Sequence, residues 1–316
     1  MKSKEIIGVI LAAGKGTRME PFSSRYPKPL LPICNKPVLE YQIEHMRHIG
    51  IKEITIVIGH LGYEICSFLG DGSKYGVTLR YIEQGETLGI AHAVGQIEPY
   101  ISSPFFLFLG DIFLVFEKDL SSMVDIFLNN NATAVLSVKK ESNQEIIRKS
   151  FAVLVNDDGT VKRVIEKPRY YVSDIIGCGY LFDLNIFDAI RRTPRTAMRD
   201  EYEITDSIQI LIEDGFTVMT DHNVSWMENI TYPQDLLGCN LRELKRRAKN
   251  EEIGDGVNIH PDAKINNSII GNNVFIKNPV EIVDSLIFSN MSIEVTGRID
   301  RAILTPDNFI DCRQKL

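Results

Sequence analysis

The sequence has few cysteines, and they show no pairing pattern. Five cysteines in 316 residues are scattered without a CxxC motif. An odd number at irregular spacing predicts free thiols in a reducing compartment rather than a disulfide framework, and it indicates no zinc site. The five are Cys34, Cys66, Cys178, Cys239 and Cys312.

Long apolar runs are also absent from the sequence. No stretch approaches the ~20 consecutive apolar residues of a membrane-spanning helix. The first residues, Met-Lys-Ser-Lys-Glu, lead into a predicted strand without the apolar core of a signal peptide. We therefore expect a cytoplasmic protein with no membrane partner. The 44% hydrophobic content is high enough for a well-buried core.

Positive charge is scarce as well. The chain has 35 basic and 42 acidic residues, and its net charge of −7 argues against a nucleic-acid partner and against an anionic membrane surface. Any phosphate that the protein binds must then be held by local groups of lysine and arginine.

What the sequence does contain is an alternation of short apolar runs with amphipathic stretches. This pattern predicts an α/β fold, a Rossmann-like, mixed and mostly parallel sheet with helices on both faces. Ligands of such sheets bind beyond the carboxyl ends of the strands, where Gly14, Gln84 and Asp111 fall. The predicted strands are 6–11, 54–58, 77–82 and 105–109, and the predicted helices are 38–49, 63–69 and 91–97.

After residue 132 the pattern changes to paired strands. Asp157-Asp158-Gly159 has the composition of a hairpin turn between two of them. We expect this first domain to cover residues 1–248. Its remaining predicted elements are strands at 134–139, 151–155, 161–165, 175–182 and 216–220 and helices at 203–214 and 233–248.

A charged connector, residues 245–252, leads into a six-residue apolar period. With Gly254 and Gly271 inside the pattern, the period predicts a short left-handed parallel β-helix of about three coils over residues 249–316, degrading after Ile293. His260 is the only histidine there, so we expect packing between subunits rather than an acyltransferase site. The periodic positions are Ile253, Ile259 and Ile265, then, after a slip of one residue, Ile270, Ile276, Ile282 and Phe288.

A glycine-bearing loop follows the first predicted strand and ends in Arg18. Glycines let the backbone bring N–H groups close to an anion, and the guanidinium of Arg18 matches phosphate oxygens. Taken alone, Lys15 and Arg18 are equally compatible with solvated loop charges. The candidate nucleotide-binding residues of this loop are Leu11, Ala13, Gly14, Gly16 and Thr17.

Five motifs in order resemble those of the sugar-1-phosphate nucleotidyltransferases, also called nucleotide-sugar pyrophosphorylases. They are LAAGKGTRM at 11–19, PKPLLPICNKP at 27–37, the stretch 84–93, FLGD at 108–111 and EKP at 166–168. The resemblance extends over roughly residues 5 to 245. It implies attack of a sugar-1-phosphate oxygen on the α-phosphorus of a nucleoside triphosphate, giving a nucleotide-sugar and pyrophosphate.

In that reaction two anions meet, so the resemblance implies a site dominated by cations rather than by a protein nucleophile or general base. Arg18 would hold the triphosphate and the departing pyrophosphate. Lys28, between two prolines, would neutralise charge near the α-phosphate, and Lys167 would bind the phosphate of the sugar 1-phosphate.

The resemblance also implies Mg²⁺ as cofactor. Asp111, at the end of a buried strand, is the expected ligand, although an aspartate there could equally cap a following helix. Relatives usually supply a second aspartate from a Trp-containing segment. Here Asn229 aligns with that position, and Glu228 is the alternative if the register shifts by one.

For the base, the resemblance implicates Gln84 and Gly89. The amide of Gln84 has one donor and one acceptor face for the O4 and N3–H edge shared by uracil and thymine, which favours UTP or dTTP. Gly89 would allow close approach of the backbone to the nucleoside. An ordinary polar residue at a strand end is the alternative for Gln84.

For the sugar, the resemblance implies binding by Glu166, Lys167 and Arg199, with glucose 1-phosphate as the default substrate. The paired strands would form the sugar-binding lobe. This chain departs from its relatives at two places, where Ala152 follows Phe151 and where Cys178 begins the Cys178-Gly179-Tyr180 stretch. The methyl group of Ala152 would crowd the sugar or change which sugar fits.

Two other functions remain open at this point. One is a cytidylyl- or guanylyltransferase that acts on another phosphorylated small molecule, and the other is a catalytically silent regulatory subunit. Because the ends of a short β-helix are apolar and need cover, we also expect a homo-oligomer, a dimer or larger.

Overall fold

A computed structural model describes residues 5–197 and 200–313 of the chain. By their contacts the residues form two compact units. We call residues up to 14 together with 42–227 the sheet unit, and residues 15–41 together with those from 228 on the coil unit. The boundary expected between residues 248 and 249 stays a prediction.

The strands up to residue 229 are β1 (Ile7–Ala12), β2 (Pro32–Ile33), β3 (Lys36–Pro37), β4 (Glu53–Ile58), β5 (Thr78–Glu83), β6 (Phe105–Leu109), β7 (Ile112–Phe116), β8 (Ala134–Lys140), β9 (Phe151–Val155), β10 (Val161–Glu166), β11 (Ile175–Phe182), β12 (Val218–Asp221) and β13 (Val224–Asn229). The helices are α1 (Val38–His48), α2 (Gly62–Leu69), α3 (Ile90–Gln96), α4 (Ser121–Asn129), α5 (Gln144–Lys149), α6 (Ile186–Arg192), α7 (Ile204–Glu213) and α8 (Pro233–Arg246). None of the helices in the described part of the chain has the length and apolar character of a membrane-spanning segment.

The sheet unit is built on a nine-stranded mixed sheet, which confirms the predicted α/β fold. Its main path runs β10-β9-β11-β6-β1-β4-β5, with β8 beside β11 and β12 beside β8. The half from β6 to β5 is parallel, and β11 is antiparallel to each of its three neighbours. The core strand β6 is almost entirely apolar and has the four residues Phe105 to Phe108 buried, as expected for a strand covered on both faces.

The register of the parallel strands determines which strand ends lie side by side. Ala12 pairs with Ile58, Ile58 pairs with Glu83, and Leu11 pairs with Leu109. The carboxyl ends of β1, β4, β5 and β6 therefore form one edge of the sheet. The predicted hairpin is confirmed too, since β9 and β10 are antiparallel and Gly159 between them has a φ of 84°.

In the coil unit, the strands after α8 form a parallel β-helix. Its first face contains β14 (Glu251–Ile253), β17 (Ser268–Ile270), β20 (Leu286–Ile287), β23 (Ala302–Leu304) and the antiparallel β24 (Phe309–Asp311). The second contains β15 (Asn258–Ile259), β18 (Phe275–Ile276) and β21 (Ser292–Ile293), and the third contains β16 (Lys264–Asn266), β19 (Val280–Val283) and β22 (Gly297–Asp300). The left-handed sense stays a prediction.

The six-residue period read from the sequence was wrong at one position, because it placed Phe288 in the apolar core. Ile270 pairs with Ile287, which occupies the core of the coil, and the apolar positions continue to Ile299 and Leu304 instead of degrading after Ile293. The sequence analysis treated the five-residue step as a single exception, but the structure has one such step in every coil.

Each five-residue step lies at the corner between the third face and the first face of the β-helix. The six-residue steps that contain Gly256, Asn273 and Asn290 have a left-handed residue too, so this conformation marks corners and does not set the length of the step. One residue at each corner between the third and the first face has a left-handed backbone. Those residues are Asn267, Asp284 and Arg301, with φ angles of 45°, 47° and 47°.

Candidate active site

In the sheet unit, the loop after β1 begins with one tightly packed residue, and the residue that follows it is exposed to solvent. Ala13 is 4% exposed, and a Cβ added to Gly59 would lie 2.8 Å from the carbonyl oxygen of Ala13. Gly59 therefore lets the end of β4 pack against Ala13, a requirement that the sequence analysis missed. Gly14 is exposed, and a Cβ added to it would meet nothing within 4 Å. This space is open to a ligand.

Asp111 lies in a two-residue turn between β6 and β7. The backbone N–H of Gly110 donates to the carbonyl of Leu11 at 2.8 Å, which ties the turn to the end of β1. The side chain of Asp111 is half-buried. Because strand β7 and not a helix follows, the alternative that Asp111 caps a helix is wrong.

A second support of this turn comes from Gln42 of α1. Its amide nitrogen donates to the carbonyl oxygens of Leu109 and Ile112, both at 2.8 Å, so that one side chain holds both sides of the Asp111 turn. Gln42 is only 1% exposed. The sequence held a signal for it, because Gln42 interrupts the apolar stripe of Val38 and Met46 on the predicted helix.

Gln84 follows β5 at the same edge of the sheet. Its backbone N–H donates to Ile58 at 2.8 Å, and its side-chain nitrogen donates to the carbonyl of Glu86 at 2.9 Å. Gln84 is 8% exposed. These two bonds orient the amide of Gln84 relative to the strand end.

Gly89 has a φ of 110°, and the structure gives a local reason for it. A Cβ there would lie 2.5 Å from the carbonyl oxygen of Tyr202, whose backbone bonds to Leu88 and Ala91 on either side. Glycine is thus required for the approach to Tyr202, which the sequence analysis did not foresee. The approach of Gly89 to a nucleoside stays a prediction.

Glu166 and Lys167 stand at the end of β10. Lys167 has a φ of 42°, an unfavourable value for lysine, and its N–H donates to Ser150 at 2.9 Å. Its ammonium is 3.4 Å from one carboxylate oxygen of Glu166, and the hydroxyl of Thr205 donates to the other at 3.3 Å. Such strain is common at functional positions.

Ala152 and Cys178, the two departures from the resembling sequences, lie inside the sheet. Ala152 is fully buried between Ile165 and Ile176, and Cys178 is 5% exposed. Burial raises the pKa of the Cys178 thiol to about 12, so the thiol stays protonated. This burial favours a packing role, and a contact with sugar stays a prediction. Arg199 lies outside the described residues.

In the coil unit, Gly16 and Lys28 are brought together. Gly16 has a φ of 64°, and a Cβ there would lie 3.0 Å from two carbons of the Lys28 side chain. Thr17 and Arg18 are exposed on a 3₁₀ turn that begins after Gly16, and a second such turn begins at Lys28. Three of the residues from the candidate phosphate loop, with Lys28, therefore lie in one segment, residues 15–41.

The later part of this segment forms the small hairpin of β2 and β3, which the sequence analysis did not predict. The side-chain oxygen of the fully buried Asn240 accepts from the N–H of Cys34 at 2.7 Å, and its nitrogen donates to Pro32 at 2.8 Å. Burial raises the pKa of the Cys34 thiol to about 12, so this cysteine is no nucleophile at neutral pH.

Asn229 lies at the end of β13, shortly before α8. It is exposed, and its side-chain oxygen accepts from the hydroxyl of Thr231 at 3.3 Å, while Glu228 is half-buried. The start of α8 is held by Asp235, which accepts from the N–H of Tyr232 at 2.7 Å. No group of three or more metal-binding side chains of His, Cys, Asp and Glu occurs among the described residues.

Comparisons with known proteins agree with this geometry. A model of the nucleotidyl transferase family matches residues 7–230. A UTP–glucose-1-phosphate uridylyltransferase of Haloferax volcanii is 33% identical over 228 residues, 72% of this chain and 92% of that protein. A glucose-1-phosphate thymidylyltransferase of Streptomyces antibioticus is 31% identical over 302 residues, 92% of this chain and 83% of that protein.

A solved structure has the same fold. The complex of a UDP-glucose pyrophosphorylase with UDP-glucose superposes with a TM-score of 0.68 at 19% identity, over 78% of this chain and 100% of that one.

Proposed function

Because the chain belongs to the nucleotidyl transferase family, we propose that it transfers a nucleotidyl group from a nucleoside triphosphate to a sugar 1-phosphate. An oxygen of the sugar phosphate attacks the α-phosphorus, the bond from the α-phosphorus to the bridging oxygen breaks, and pyrophosphate leaves. The observation that carries the proposal is the strand register, which aligns the ends of β1, β5 and β6 and with them Gly14, Gln84 and Asp111.

The cations of the segment 15–41 take the donor phosphates in this proposal. Arg18 is exposed, and its forked guanidinium suits the oxygens of a triphosphate and of the leaving pyrophosphate. Lys28 is half-buried with its stem against Gly16, so its ammonium is confined and can neutralise charge that develops at the α-phosphorus. No protein nucleophile is needed, because the attacking phosphate is already ionised.

We propose Mg²⁺ as the cofactor, with Asp111 as its first protein ligand. A half-buried carboxylate at the sheet edge fits this ion, which is commonly held by one or two carboxylates together with substrate phosphates. Asn229 is the proposed second ligand, with Glu228 as the alternative. When bound, the ion would neutralise phosphate charge. The hydrogen bonds of Gln42 and Gly110 hold the turn that positions Asp111.

The proposed donors are dTTP and UTP. The side-chain nitrogen of Gln84 donates one of its two hydrogens to the carbonyl of Glu86, which restrains the orientation of the amide. The amide can then pair with the O4 and N3–H edge that thymine and uracil share. Relatives of both specificities are similar to this chain to nearly the same degree.

Glucose 1-phosphate is the proposed acceptor, held by Glu166, Lys167 and Arg199. The carboxylate of Glu166 can accept hydrogen bonds from sugar hydroxyls, and the ammonium beside it can bind the sugar phosphate. The left-handed backbone at Lys167 supports this role, because a non-glycine residue retains such strain only where the surroundings enforce it.

The test is pyrophosphate release with Mg²⁺ across dTTP, UTP, CTP, GTP and ATP, each combined with a panel of sugar 1-phosphates. Release with dTTP or UTP and glucose 1-phosphate is the expected result. Release only with CTP or GTP would contradict the role of Gln84 and favour the cytidylyl- or guanylyltransferase alternative. No release with any pair, in a folded protein, would favour a silent regulatory subunit.

We further propose a homo-oligomer. Large apolar side chains of the β-helix are exposed, among them Phe275 at 48%, Val295 at 54% and Phe309 at 61%, and a second copy would cover them. Light scattering is expected to give at least twice the chain mass. A mass near 35.8 kDa would contradict the proposal.

A further inference from the structure

The side chain of Phe288 is not part of the β-helix core, although the six-residue period placed it there. Ile287 occupies the core, and successive side chains of a strand point to opposite sides. Phe288 therefore points out of the coil. It is nevertheless only 6% exposed, so another part of the protein covers it.

That cover comes from the segment 15–41, the segment with Arg18 and Lys28. The ring of Phe22 stacks on Phe288 with centroids 5.7 Å apart and planes 7° apart. The ring of Tyr26 meets Phe288 edge-on at 5.4 Å. Both arrangements are favourable aromatic geometries, and they enclose Phe288 from two sides.

Two polar contacts also join the β-helix to the segment 15–41 within the coil unit. Arg25 forms an ion pair with Asp307, which follows β23. The side-chain nitrogen of Asn35, at the tip of the β2–β3 hairpin, donates to the carbonyl of Ile270 at 2.8 Å. The β-helix thus contacts the segment at Phe22, Arg25 and Tyr26 and again at the hairpin.

Phe22 and Tyr26 lie between the two proposed phosphate-binding cations along the chain. The N–H of Met19 donates to Gly16, the N–H of Phe22 donates to Met19, and the N–H of Tyr26 donates to Phe22, each at 2.8 Å. The backbone is therefore continuously hydrogen-bonded from the Arg18 turn to Tyr26. A displacement of Phe22 is transmitted to that turn.

We propose that Phe288 is a positioning residue, through which the C-terminal β-helix holds the segment 15–41 in the conformation that binds the donor triphosphate. This inference rests on the proposed function of Arg18 and Lys28. A segment without this support would have to be ordered by the nucleotide itself, which lowers the apparent affinity. The β-helix then contributes to donor binding and not to sugar binding.

The kinetic test uses Phe288→Ala and Phe288→Leu in the full-length protein. For Phe288→Ala we expect the KM for dTTP or UTP to rise about tenfold, with the KM for the sugar 1-phosphate within about twofold of wild type. Phe288→Leu, which keeps apolar volume against Phe22, should recover part of the difference. The matched control is Phe216→Ala, the same substitution at a half-exposed position of the sheet unit. It should leave both constants unchanged.

The second readout needs no ligand. Hydrogen exchange of amides in residues 17–31 should become faster in Phe288→Ala than in Phe216→Ala, while amides in residues 105–116 of the sheet unit should exchange as in wild type. Unchanged exchange in 17–31, or a rise in the KM of the sugar 1-phosphate equal to that of the triphosphate, would overturn the inference.

The two hypotheses can fail separately. A wild-type protein that releases pyrophosphate with no substrate pair would contradict the proposed function. The exchange experiment would still decide whether Phe288 holds the segment 15–41, because it depends only on packing. Exchange that responds in 17–31 alone would support the positioning role, and exchange that rises equally everywhere would overturn it.

Discussion

The Asp111 turn holds the proposed metal ligand and the segment 15–41 holds the proposed triphosphate-binding cations, and the two regions are supported in opposite ways. The turn is fixed by hydrogen bonds inside the sheet unit, from Gly110 to Leu11 and from Gln42 to both sides of the turn. The segment is fixed largely by side chains from the far end of the chain, such as Phe288 and Asp307.

The two kinds of support differ in how far apart the bonded residues lie in the sequence. Gln42 and Leu109 are 67 residues apart, whereas Asn35 and Ile270 are 235 apart. A change in the β-helix should therefore affect the segment and leave the turn intact. The carboxylate and the cations of one reaction would then respond to different parts of the protein, and the following experiments test this separation.

The largest effects are expected from removing the charged groups themselves. Lys28→Ala and Asp111→Ala should each lower kcat/KM by about 10²- to 10³-fold, because each removes charge that stabilises the transition state. The Mg²⁺ concentration for half-maximal activity should rise in Asp111→Ala and not in Lys28→Ala. The control is Lys162→Ala, an exposed lysine on β10. Full activity of Lys28→Ala would show that Lys28 does not neutralise charge at the α-phosphorus.

The second largest effect is expected from removing the side chain that supports the Asp111 turn. Gln42→Leu leaves the carbonyls of Leu109 and Ile112 without their donor and should lower the free energy of unfolding by about 2 to 4 kcal/mol. Urea denaturation measures this change. Gln96→Leu, at a half-buried glutamine of α3, is the control. If Gln42→Leu matched the control, the turn would be held by the strand register alone.

A smaller effect is expected from the backbone of the segment. Gly16→Ala places a side chain at a φ of 64° and against Lys28, which should cost about 1 to 2 kcal/mol and raise the KM for the triphosphate. Gly14→Ala is the control. It places a methyl group in open space, so its free energy of unfolding should equal that of wild type. Equal unfolding midpoints for the two variants would mean that the segment relaxes around the added methyl group.

The smallest effect is expected from the ion pair of Arg25 and Asp307. Both side chains are about half exposed, 60% and 46%, so Asp307→Asn should lower the free energy of unfolding by less than about 1 kcal/mol. The difference should disappear at high salt. A larger, salt-independent loss would show that this contact, and not the packing of Phe288, is the main support of the segment.

The sequence predicted the elements of the sheet unit well, because strongly apolar strands alternate with amphipathic helices. The predicted strands 105–109, 151–155 and 175–182 have the bounds that the structure gives them. The motifs also led to the positions of Gln84 and Asp111 at strand ends. Their ligands stay predictions.

The sequence analysis failed where a residue is defined by a distant neighbour. It missed Gln42, whose role depends on carbonyls of two strands, and it did not foresee that Gly89 packs against Tyr202. It also placed Phe288 in the β-helix core. A slip seen once along the sequence does not reveal that every coil contains one five-residue step between core positions.

By itself, then, the sequence determined the fold class, the repeat and the order of the charged motifs, because periodicity and local backbone preferences are properties of neighbouring residues. Only the tertiary structure decided what holds those motifs. The amide of Gln42 and the ring of Phe288 act on partners 67 to 266 positions away, and such contacts exist only after the chain has folded.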